Sequence, residues 1–322
     1  MPTAEHVDWF VDRLSAVVSN IELVIQGKRD AVGLVITGLI AGGHVLVEDV
    51  PGVGKTLLAK SLARSIDCSF RRIQFTPDLL PSDITGVSVW DRQGSDFVFK
   101  PGAIFANIVV GDEINRASPK TQAALLEAME ERQVTVDAVT RELAPPFMVI
   151  ATQNPLEHEG TYPLPEAQLD RFMMRISIGY PSREKELEML DTHGVRSTFD
   201  ALEPVVTAEE VLAMQRVAAA IHVAPSVKSY IVDIVETTRS HGDLLLGASP
   251  RSALFLQRVA RVRAALAGRE YVTPDDVKSI VQPVLQHRMA LRPEALMRGT
   301  TVGAVVDGVL GRLRVPGTRT GT

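Results

Sequence analysis

The residues best suited to chemistry in this sequence lie in two short segments, the first of which is rich in glycine. Apolar residues 45–47 lead into the sequence Glu-Asp-Val-Pro-Gly-Val-Gly-Lys-Thr at positions 48–56, after which a helical pattern begins. A Gly-rich loop between a strand and a helix presents backbone N–H groups and the positive end of the helix dipole to a phosphate. In such a loop, Lys55 would reach the terminal phosphates of a nucleotide, and the Thr56 hydroxyl would bind Mg²⁺.

The loop departs from the strict pattern G-x-x-x-x-G-K-[ST] at one position, because Asp49 stands where the first glycine is expected. Taken alone, the segment could also be a glycine-rich turn that caps a helix. As a phosphate-binding loop, it would contact the ligand through its own residues and the first residues of the helix. These are Pro51, Gly52, Val53, Gly54, Lys55, Thr56 and Leu57.

The second segment is an apolar stretch at 108–111 that ends in the adjacent carboxylates Asp112 and Glu113. Buried carboxylates are costly unless they serve a purpose, and the carboxyl ends of parallel strands meet at one edge of a sheet. We expect Asp112 to hold Mg²⁺ together with Thr56, and Glu113 to activate the attacking water. The alternative is a solvated helix cap. A later apolar stretch ends near Asn154, which could orient the water or only begin an Asn-Pro turn.

Two arginines could meet a phosphate from outside the loop. The planar guanidinium of Arg171 suits a contact with a nucleotide bound to a neighbouring subunit, although an ordinary ion pair with Asp170 is the alternative. Arg175 is a second candidate for the same role. Arg251 follows the capping residue Ser249 in the first turn of a helix, where a cation opposes the helix dipole. An anionic partner such as a nucleotide phosphate would compensate for this placement, and solvent exposure is the alternative.

The elements that must position these residues alternate between short apolar strands and helices. Strands are predicted at 45–47, 70–75, 108–111, 147–152 and 175–178. Helices are predicted at 5–25, 56–65, 119–132 and 166–172. Continuous apolar strands that alternate with helices indicate a parallel sheet covered on both faces. Two further segments, 84–98 and 133–143, are predicted to be inserted hairpins.

The pattern changes after Pro181, beyond which no strand is predicted. The segments at 207–210 and 273–276 resemble capping boxes, which start helices. Further helices are predicted near 182–191, 226–239 and 250–267. We therefore expect two domains, an α/β core over residues 1–180 and a helical domain over residues 181–322.

The composition fits a folded protein of two domains and excludes several classes of protein. The chain has 322 residues, a net charge of −5 and 45% hydrophobic residues. These values exclude disordered and fibrous proteins and uniformly basic coat proteins of nucleic acids. The acidic excess lies in residues 1–190, whereas residues 191–322 carry a small basic excess. The single Cys68 cannot form an intrachain disulfide.

One uncharged stretch, residues 31–47, raises the question of a membrane span. A span needs about 20 apolar residues, whereas this stretch is interrupted by glycines and a histidine. A helix followed by a buried strand is the preferred interpretation. The N-terminus has no basic segment followed by an apolar one, so we expect no signal peptide and a cytoplasmic protein.

The order of these motifs resembles that of an AAA+ ATPase, and four longer runs resemble the MoxR family in particular. The runs are GGHVLVEDVPGVGKT at 42–56, DEINRA at 112–117, KTQAALLEAMEE at 120–131 and EGTYPLPEAQLDRF at 159–172. The resemblance extends over nearly the whole chain, and Asp49 agrees with the family's pattern.

The resemblance implies a P-loop NTPase core of the AAA+ type, in which helices cover a five-stranded parallel sheet. It further implies an inserted hairpin after the second strand, a C-terminal helical lid, and binding of ATP and Mg²⁺. The implied roles are Walker A for Lys55 and Thr56, Walker B for Asp112 and Glu113, sensor 1 for Asn154, arginine finger for Arg171 and sensor 2 for Arg251.

Such proteins form homo-oligomeric rings, typically hexamers, and are thought to be chaperone-like ATPases that mature or activate partner complexes. Their partners often carry a von Willebrand factor A domain. We therefore expect a Mg-dependent ATP hydrolase whose ring remodels a protein client. One alternative is a nucleic-acid motor, against which the acidic core and the lack of an appended DNA-binding module argue. Another is a scaffold that binds nucleotide without hydrolysis, against which Glu113 and Asn154 argue.

Overall fold

A computed structural model describes residues 2–155, 160–184, 186–187 and 199–317. By their contacts, the residues fall into two compact units. We call Ser15–Phe172 with Ile176–Leu212 the sheet unit, and Met1–Leu14, Met173–Arg175 and Ala213–Thr322 the helical unit. The division at residue 180 stays a prediction.

The first half of the chain alternates strands and helices, as the sequence predicts. Its helices are α1 (Ala4–Glu22), α2 (Arg29–Ile40), α3 (Lys55–Ser65), α4 (Pro81–Thr85), α5 (Pro119–Glu131) and α6 (Glu166–Leu169). Its strands are β1 (Val45–Glu48), β2 (Phe70–Gln74), β3 (Gly86–Asp91), β4 (Asp96–Pro101), β5 (Ile108–Asp112), β6 (Gln133–Val136), β7 (Val139–Glu142), β8 (Met148–Gln153) and β9 (Met174–Ile176).

Five of these strands form one sheet in the order β2-β5-β8-β1-β9. Strand β1 pairs in parallel with β8, β8 with β5, and β5 with β2. The predicted parallel sheet is therefore confirmed, and its central strands are buried and apolar up to the polar residues at their carboxyl ends. The uncharged stretch at 31–47 forms α2 and most of β1.

The two predicted hairpins are present, and the first is displaced along the chain. Strands β3 and β4 pair from Gly86↔Pro101 to Asp91↔Asp96, so this hairpin covers 86–101 instead of 84–98. Residues 84 and 85 belong to α4, which the sequence analysis missed because the helix is only five residues long. Strands β6 and β7 pair from Gln133↔Glu142 to Val136↔Val139.

The second half of the chain is mainly helical, with one correction to the prediction. Its helices are α7 (Ala208–Ala220), α8 (Pro225–Arg239), α9 (Pro250–Leu266), α10 (Pro274–Leu285), α11 (Pro293–Met297) and α12 (Val302–Arg312). The expectation that strands end at Pro181 is wrong, because β10 (Leu244–Leu246) and β11 (Ala290–Leu291) form a small antiparallel sheet. Both strands are too short to show a period of two. The helix predicted at 182–191 lies largely outside the described residues.

The helix starts of this half follow the predicted capping chemistry. The Thr207 N–H donates to Glu210 at 2.8 Å, and the Glu210 N–H donates to the Thr207 hydroxyl at 3.2 Å. Thr273 and Asp276 form the same reciprocal pair at the start of α10. In the part of the chain that the structure describes, no helix is both long and apolar enough to cross a membrane.

A buried histidine just before β1 joins two other elements of the sheet unit. The Nδ1 atom of His44 accepts the Val149 N–H at 2.9 Å, and Nε2 lies 3.0 Å from the Met129 carbonyl oxygen. These partners require a neutral ring protonated on Nε2. Burial, the largest cause, and the charge of Arg132 lower the pKa of His44 to about 4, although the hydrogen bond to Met129 raises it.

We predict that acid destabilises the fold through His44. The unfolded chain takes up this proton near pH 6.5, whereas the folded chain does so only near pH 4. Unfolding therefore binds a proton between these values, and stability falls as the pH falls. The contribution of His44 is about 3 kcal/mol by pH 4. Urea unfolding of the wild type and His44→Asn between pH 7 and 4.5 measures it.

In His44→Asn, we expect lower stability at pH 7 and a shallower decline with acid. His6→Asn removes an exposed histidine and is the matched control, whose decline should equal that of the wild type. Equal slopes for the wild type and His44→Asn would contradict the prediction.

Candidate nucleotide-binding site

The glycine-rich loop connects β1 to α3 as the sequence predicts. Gly52 and Gly54 have φ angles of +85° and +87°, in the left-handed region that other residues rarely adopt. Gly54 is also the N-cap of α3 and offers the first N–H groups no side-chain acceptor. The dipole at the start of α3 favours an anion there. The Lys55 ammonium folds back to the Asp49 carbonyl oxygen at 2.7 Å.

The side chain of Asp112 accepts hydrogen bonds from three neighbouring side chains. Its Oδ2 atom accepts from the Thr56 hydroxyl at 2.9 Å and from Nε of Arg72 at 2.8 Å. Its Oδ1 atom accepts from the Thr152 hydroxyl at 2.8 Å. Burial raises the pKa of Asp112, but these hydrogen bonds and the charge of Arg72 outweigh burial and lower it. Asp112 is thus held as a carboxylate beside a hydroxyl oxygen, a pair of hard donors that fits Mg²⁺.

Glu113 adopts a backbone conformation unusual for its residue type. Its φ angle is +58°, and its N–H donates to the Thr152 hydroxyl at 3.0 Å. The carboxylate accepts from Nε2 of Gln74 at 2.8 Å and from Arg116 at 3.2 Å. Thr152 therefore fixes both Asp112 and the backbone of Glu113, and Gln74 sets the direction of the Glu113 side chain.

These groups surround a cavity of about 390 Å³. It is lined by Pro51, Gly52, Gly54, Lys55, Thr56, Leu57, Arg72, Gln74, Asp112, Glu113, Thr152 and Asn154. The remaining predicted loop residue, Val53, lies between two of the lining glycines. Asn154 is buried and follows β8. The structure thus brings together the residues predicted from the loop, the carboxylate pair and the tip of β8.

The sequence analysis missed three lining residues, Arg72, Gln74 and Thr152. Arg72 and Gln74 are two residues apart on β2, so both lie on the same side of that strand. Polar residues at this spacing in a predicted strand of the sheet were the available signal. Their partners could not be found without the strand order, which places β2 beside β5.

Asp49, the exception to the strict loop pattern, anchors the start of the loop. Its φ is not positive, so glycine is not required there. Oδ2 accepts from the N–H groups of Ile178 and Gly179 at 2.6 and 2.7 Å, and from the Ser177 hydroxyl at 3.0 Å. Burial raises the pKa of Asp49, but these bonds and that from Val50 outweigh it and lower the pKa.

Among the residues that the structure describes, Arg171 is not one of those that line this cavity. Arg171 follows α6, and its Nε atom forms an ion pair of 3.0 Å with Glu130 in the last turn of α5. The alternative from the sequence, a pair between Arg171 and Asp170, stays a prediction. Arg175 is the central residue of β9, and Arg251 is the second residue of α9. Arg251 and Arg175 belong to the helical unit.

One buried side chain connects three of the long runs noted in the sequence. The Gln122 amide donates to the carbonyl oxygens of Ile114, Ala117 and Tyr162 at 3.1, 3.2 and 2.9 Å. The Tyr162 N–H donates to the Asn115 carbonyl oxygen at 2.6 Å. The runs that begin at 112, 120 and 159 are therefore one packed cluster beside the carboxylates; residue 159 itself lies outside the described residues.

Comparison with known proteins agrees with this arrangement. The ATPase family associated with various cellular activities (AAA) matches residues 44–174, and the AAA lid domain matches residues 236–309. The uncharacterized protein YeaC of Bacillus subtilis is 50% identical over 94% of this chain and 95% of its own. Chaperone MoxR1 of Mycobacterium tuberculosis is 40% identical over 95% of this chain and 83% of its own.

A solved structure covers almost the whole chain. A crystal structure from Cytophaga hutchinsonii, provisionally named an ATPase, superimposes with a TM-score of 0.91 at 37% identity. The match covers 97% of this chain and 98% of that one. At this identity and coverage, the likeness extends to both units of the chain.

We predict that Asp49→Ala lowers the free energy of unfolding by about 2 kcal/mol, because it leaves buried N–H donors without an acceptor. The start of the loop should loosen, so binding of an ATP analogue should also weaken. Chemical denaturation and a binding titration measure the two effects. Asp8→Ala removes an exposed carboxylate on α1 and should change neither. Wild-type stability in Asp49→Ala would refute the anchoring role.

Proposed function

The chain belongs to the MoxR family of AAA+ ATPases, and from this we propose that it is a Mg-dependent ATPase that works as a ring on a protein client. One observation carries the proposal. A single cavity is lined by Lys55, Thr56, Asp112, Glu113 and Asn154, so cation, hydroxyl, carboxylates and amide face the same space. Glycine N–H groups and the start of α3 complete the phosphate cradle.

In this proposal, the loop 51–57 binds the phosphates, and Lys55 leaves the Asp49 carbonyl to contact them. Thr56 and Asp112 would hold Mg²⁺, which neutralises phosphate charge and orients the phosphoryl group. The short hydroxyl–carboxylate contact between the two residues, 2.9 Å, supports this pairing. Asp112 is kept ionised by its hydrogen bonds, so it is ready to act as a ligand.

Glu113 is the proposed general base, and Asn154 the residue that orients the attacking water. Both line the cavity together with Lys55. The carboxylate of Glu113 accepts from Gln74 and that of Asp112 accepts from Arg72, so the adjacent residues can do different work. To accept a proton from a water molecule, the Glu113 carboxylate must break its hydrogen bond with Gln74 or accept from both groups.

In a ring, a neighbouring subunit would contribute a further positive charge to the nucleotide site. We assign Arg171 the role of contacting the terminal phosphate bound to the next subunit, with Arg175 as the second candidate. The side chains of Arg171 and Glu130 are 30% and 34% exposed, so their ion pair costs little to break.

Arg251, in the first turn of α9, would sense the nucleotide of its own subunit. The core would comprise residues 1–180 and the lid residues 181–322.

The inserted hairpins are the proposed contacts with the client. The side chains of Trp90 and Phe97 pack edge to face, with 5.2 Å between ring centres, and remain 51% and 65% exposed. Val139, on the second hairpin, is 51% exposed. A client with a von Willebrand factor A domain is the class we propose. The chaperone-named relative supports a protein client over the nucleic-acid alternative.

The role of Glu113 is tested by Glu113→Gln. We expect ATP turnover to fall at least about 100-fold, because the base is lost. The Kd for an ATP analogue should change little, because the phosphate cradle is intact. Phosphate release and a fluorescence titration measure the two quantities. Glu131→Gln neutralises an exposed carboxylate in α5 and is the control. Near-normal turnover in Glu113→Gln would remove Glu113 from the base role.

The role of Arg171 is tested by mixing two inactive variants. Arg171→Ala keeps its own phosphate loop, and Lys55→Ala keeps Arg171. In randomly mixed rings at equal ratio, about a quarter of the interfaces join an intact loop to an intact arginine. We expect turnover to recover to about that fraction.

Mixtures of Arg175→Ala with Lys55→Ala separate the two candidate arginines. Recovery in this pair, and none with Arg171→Ala, would transfer the role to Arg175. No recovery in either mixture would contradict a contact between subunits.

A further inference from the structure

The basic side chain of Arg72 forms an ion pair with Asp112, the carboxylate that would bind Mg²⁺ in the proposed function. Nε of Arg72 lies 2.8 Å from Oδ2 of Asp112, the same oxygen that accepts from the Thr56 hydroxyl. The Arg72 side chain is 49% exposed, whereas that of Asp112 is 10% exposed. The guanidinium therefore approaches a buried oxygen from the solvent side, through the cavity that a nucleotide would fill.

The same guanidinium is connected to the second carboxylate. Nη2 of Arg72 donates to Oε1 of Gln74 at 2.5 Å, and Nε2 of Gln74 donates to Glu113 at 2.8 Å. Because the Gln74 amide has one acceptor and one donor end, this direction of the bonds fixes its orientation. Arg72 thus orders both Asp112 and, through Gln74, Glu113.

We propose that Arg72 is a positioning residue that acts as the cation paired with Asp112 and is displaced from that carboxylate when a metal–nucleotide complex binds. The proposal rests on the proposed function, because it takes Thr56 and Asp112 as the metal's ligands. A guanidinium and a divalent cation repel each other at one carboxylate oxygen, so both cannot stay on Oδ2. With half of its surface in solvent, Arg72 leaves without opening the core.

If metal displaces Arg72 from Asp112, then Arg72 influences how strongly nucleotide binding depends on metal. Without metal, Arg72 stays on Asp112 and prevents that carboxylate from repelling the phosphates. With metal, Arg72 is a competitor whose bonds must first be broken. Removing its charge should therefore weaken metal-free binding and strengthen binding in the presence of Mg²⁺. Because the two effects have opposite signs, the ratio of the Kd without metal to the Kd with Mg²⁺ responds to both.

The experiment measures the Kd of a fluorescent, non-hydrolysable ATP analogue with excess Mg²⁺ and with EDTA. The quantity compared is the ratio of the EDTA value to the Mg²⁺ value. In Arg72→Gln, we expect this ratio to be about fivefold larger than in the wild type, the effect of one partly exposed ion pair. Arg71→Gln is the matched control, because Arg71 is exposed and adjacent on β2, and its ratio should equal that of the wild type.

Three further measurements keep the outcome decisive. Arg72→Lys retains a cation and should keep the wild-type ratio, whereas a ratio like that of Arg72→Gln would show that charge is not the cause. Thermal unfolding checks the fold, and Arg72→Met, which keeps part of the aliphatic stem, replaces Arg72→Gln should that variant unfold. An unchanged or smaller ratio in the neutral variant would overturn the proposal. A wild type that fails to bind the analogue in either condition would overturn the proposed function instead.

Discussion

Strand β8 lies between β1 and β5, and the geometry of the candidate site follows from that order. Because the three strands are parallel, their carboxyl ends meet at one edge. The residues at the end of β8 therefore stand between the phosphate loop and the carboxylate pair. Thr152 lies at this position, and its hydroxyl donates to Asp112 and accepts from the Glu113 N–H. One hydroxyl thus holds the carboxylate of Asp112 and the backbone of Glu113.

Asp49 and Asp112 are both buried in the sheet unit, and their hydrogen-bond donors separate a structural role from a chemical one. Asp49 is bound mostly by backbone N–H groups, which cannot move without unfolding the local chain. Asp112 is bound by side chains, two hydroxyls and a guanidinium, which can rotate away. Both carboxylates have lowered pKa values. Only Asp112 can exchange its partners for a ligand, and this agrees with its place at the cavity.

The sequence predicted the parts of the fold that depend on local pattern. Short stretches rich in apolar residues gave the five sheet strands, and the carboxylates after one of them gave Asp112 and Glu113. The small sheet of β10 and β11 was missed, because strands of three and two residues show no period. Arg72, Gln74 and His44 were missed for another reason. Their roles come from partners 39 to 105 residues away in the chain, which only the strand order brings near.

The last turn of α5 connects the loop with the proposed arginine finger. The Met129 carbonyl oxygen is held by His44, which directly precedes β1, the strand that delivers the phosphate loop. The next residue, Glu130, holds Arg171. Two consecutive residues of α5 therefore connect β1 with Arg171. Met129 is hydrogen-bonded to His44, and Glu130 forms the ion pair with Arg171. The His44 contact is buried and stays with the fold, whereas the Glu130 contact is partly exposed and breaks at low cost. A neighbouring subunit's phosphate would have to compete only with the second.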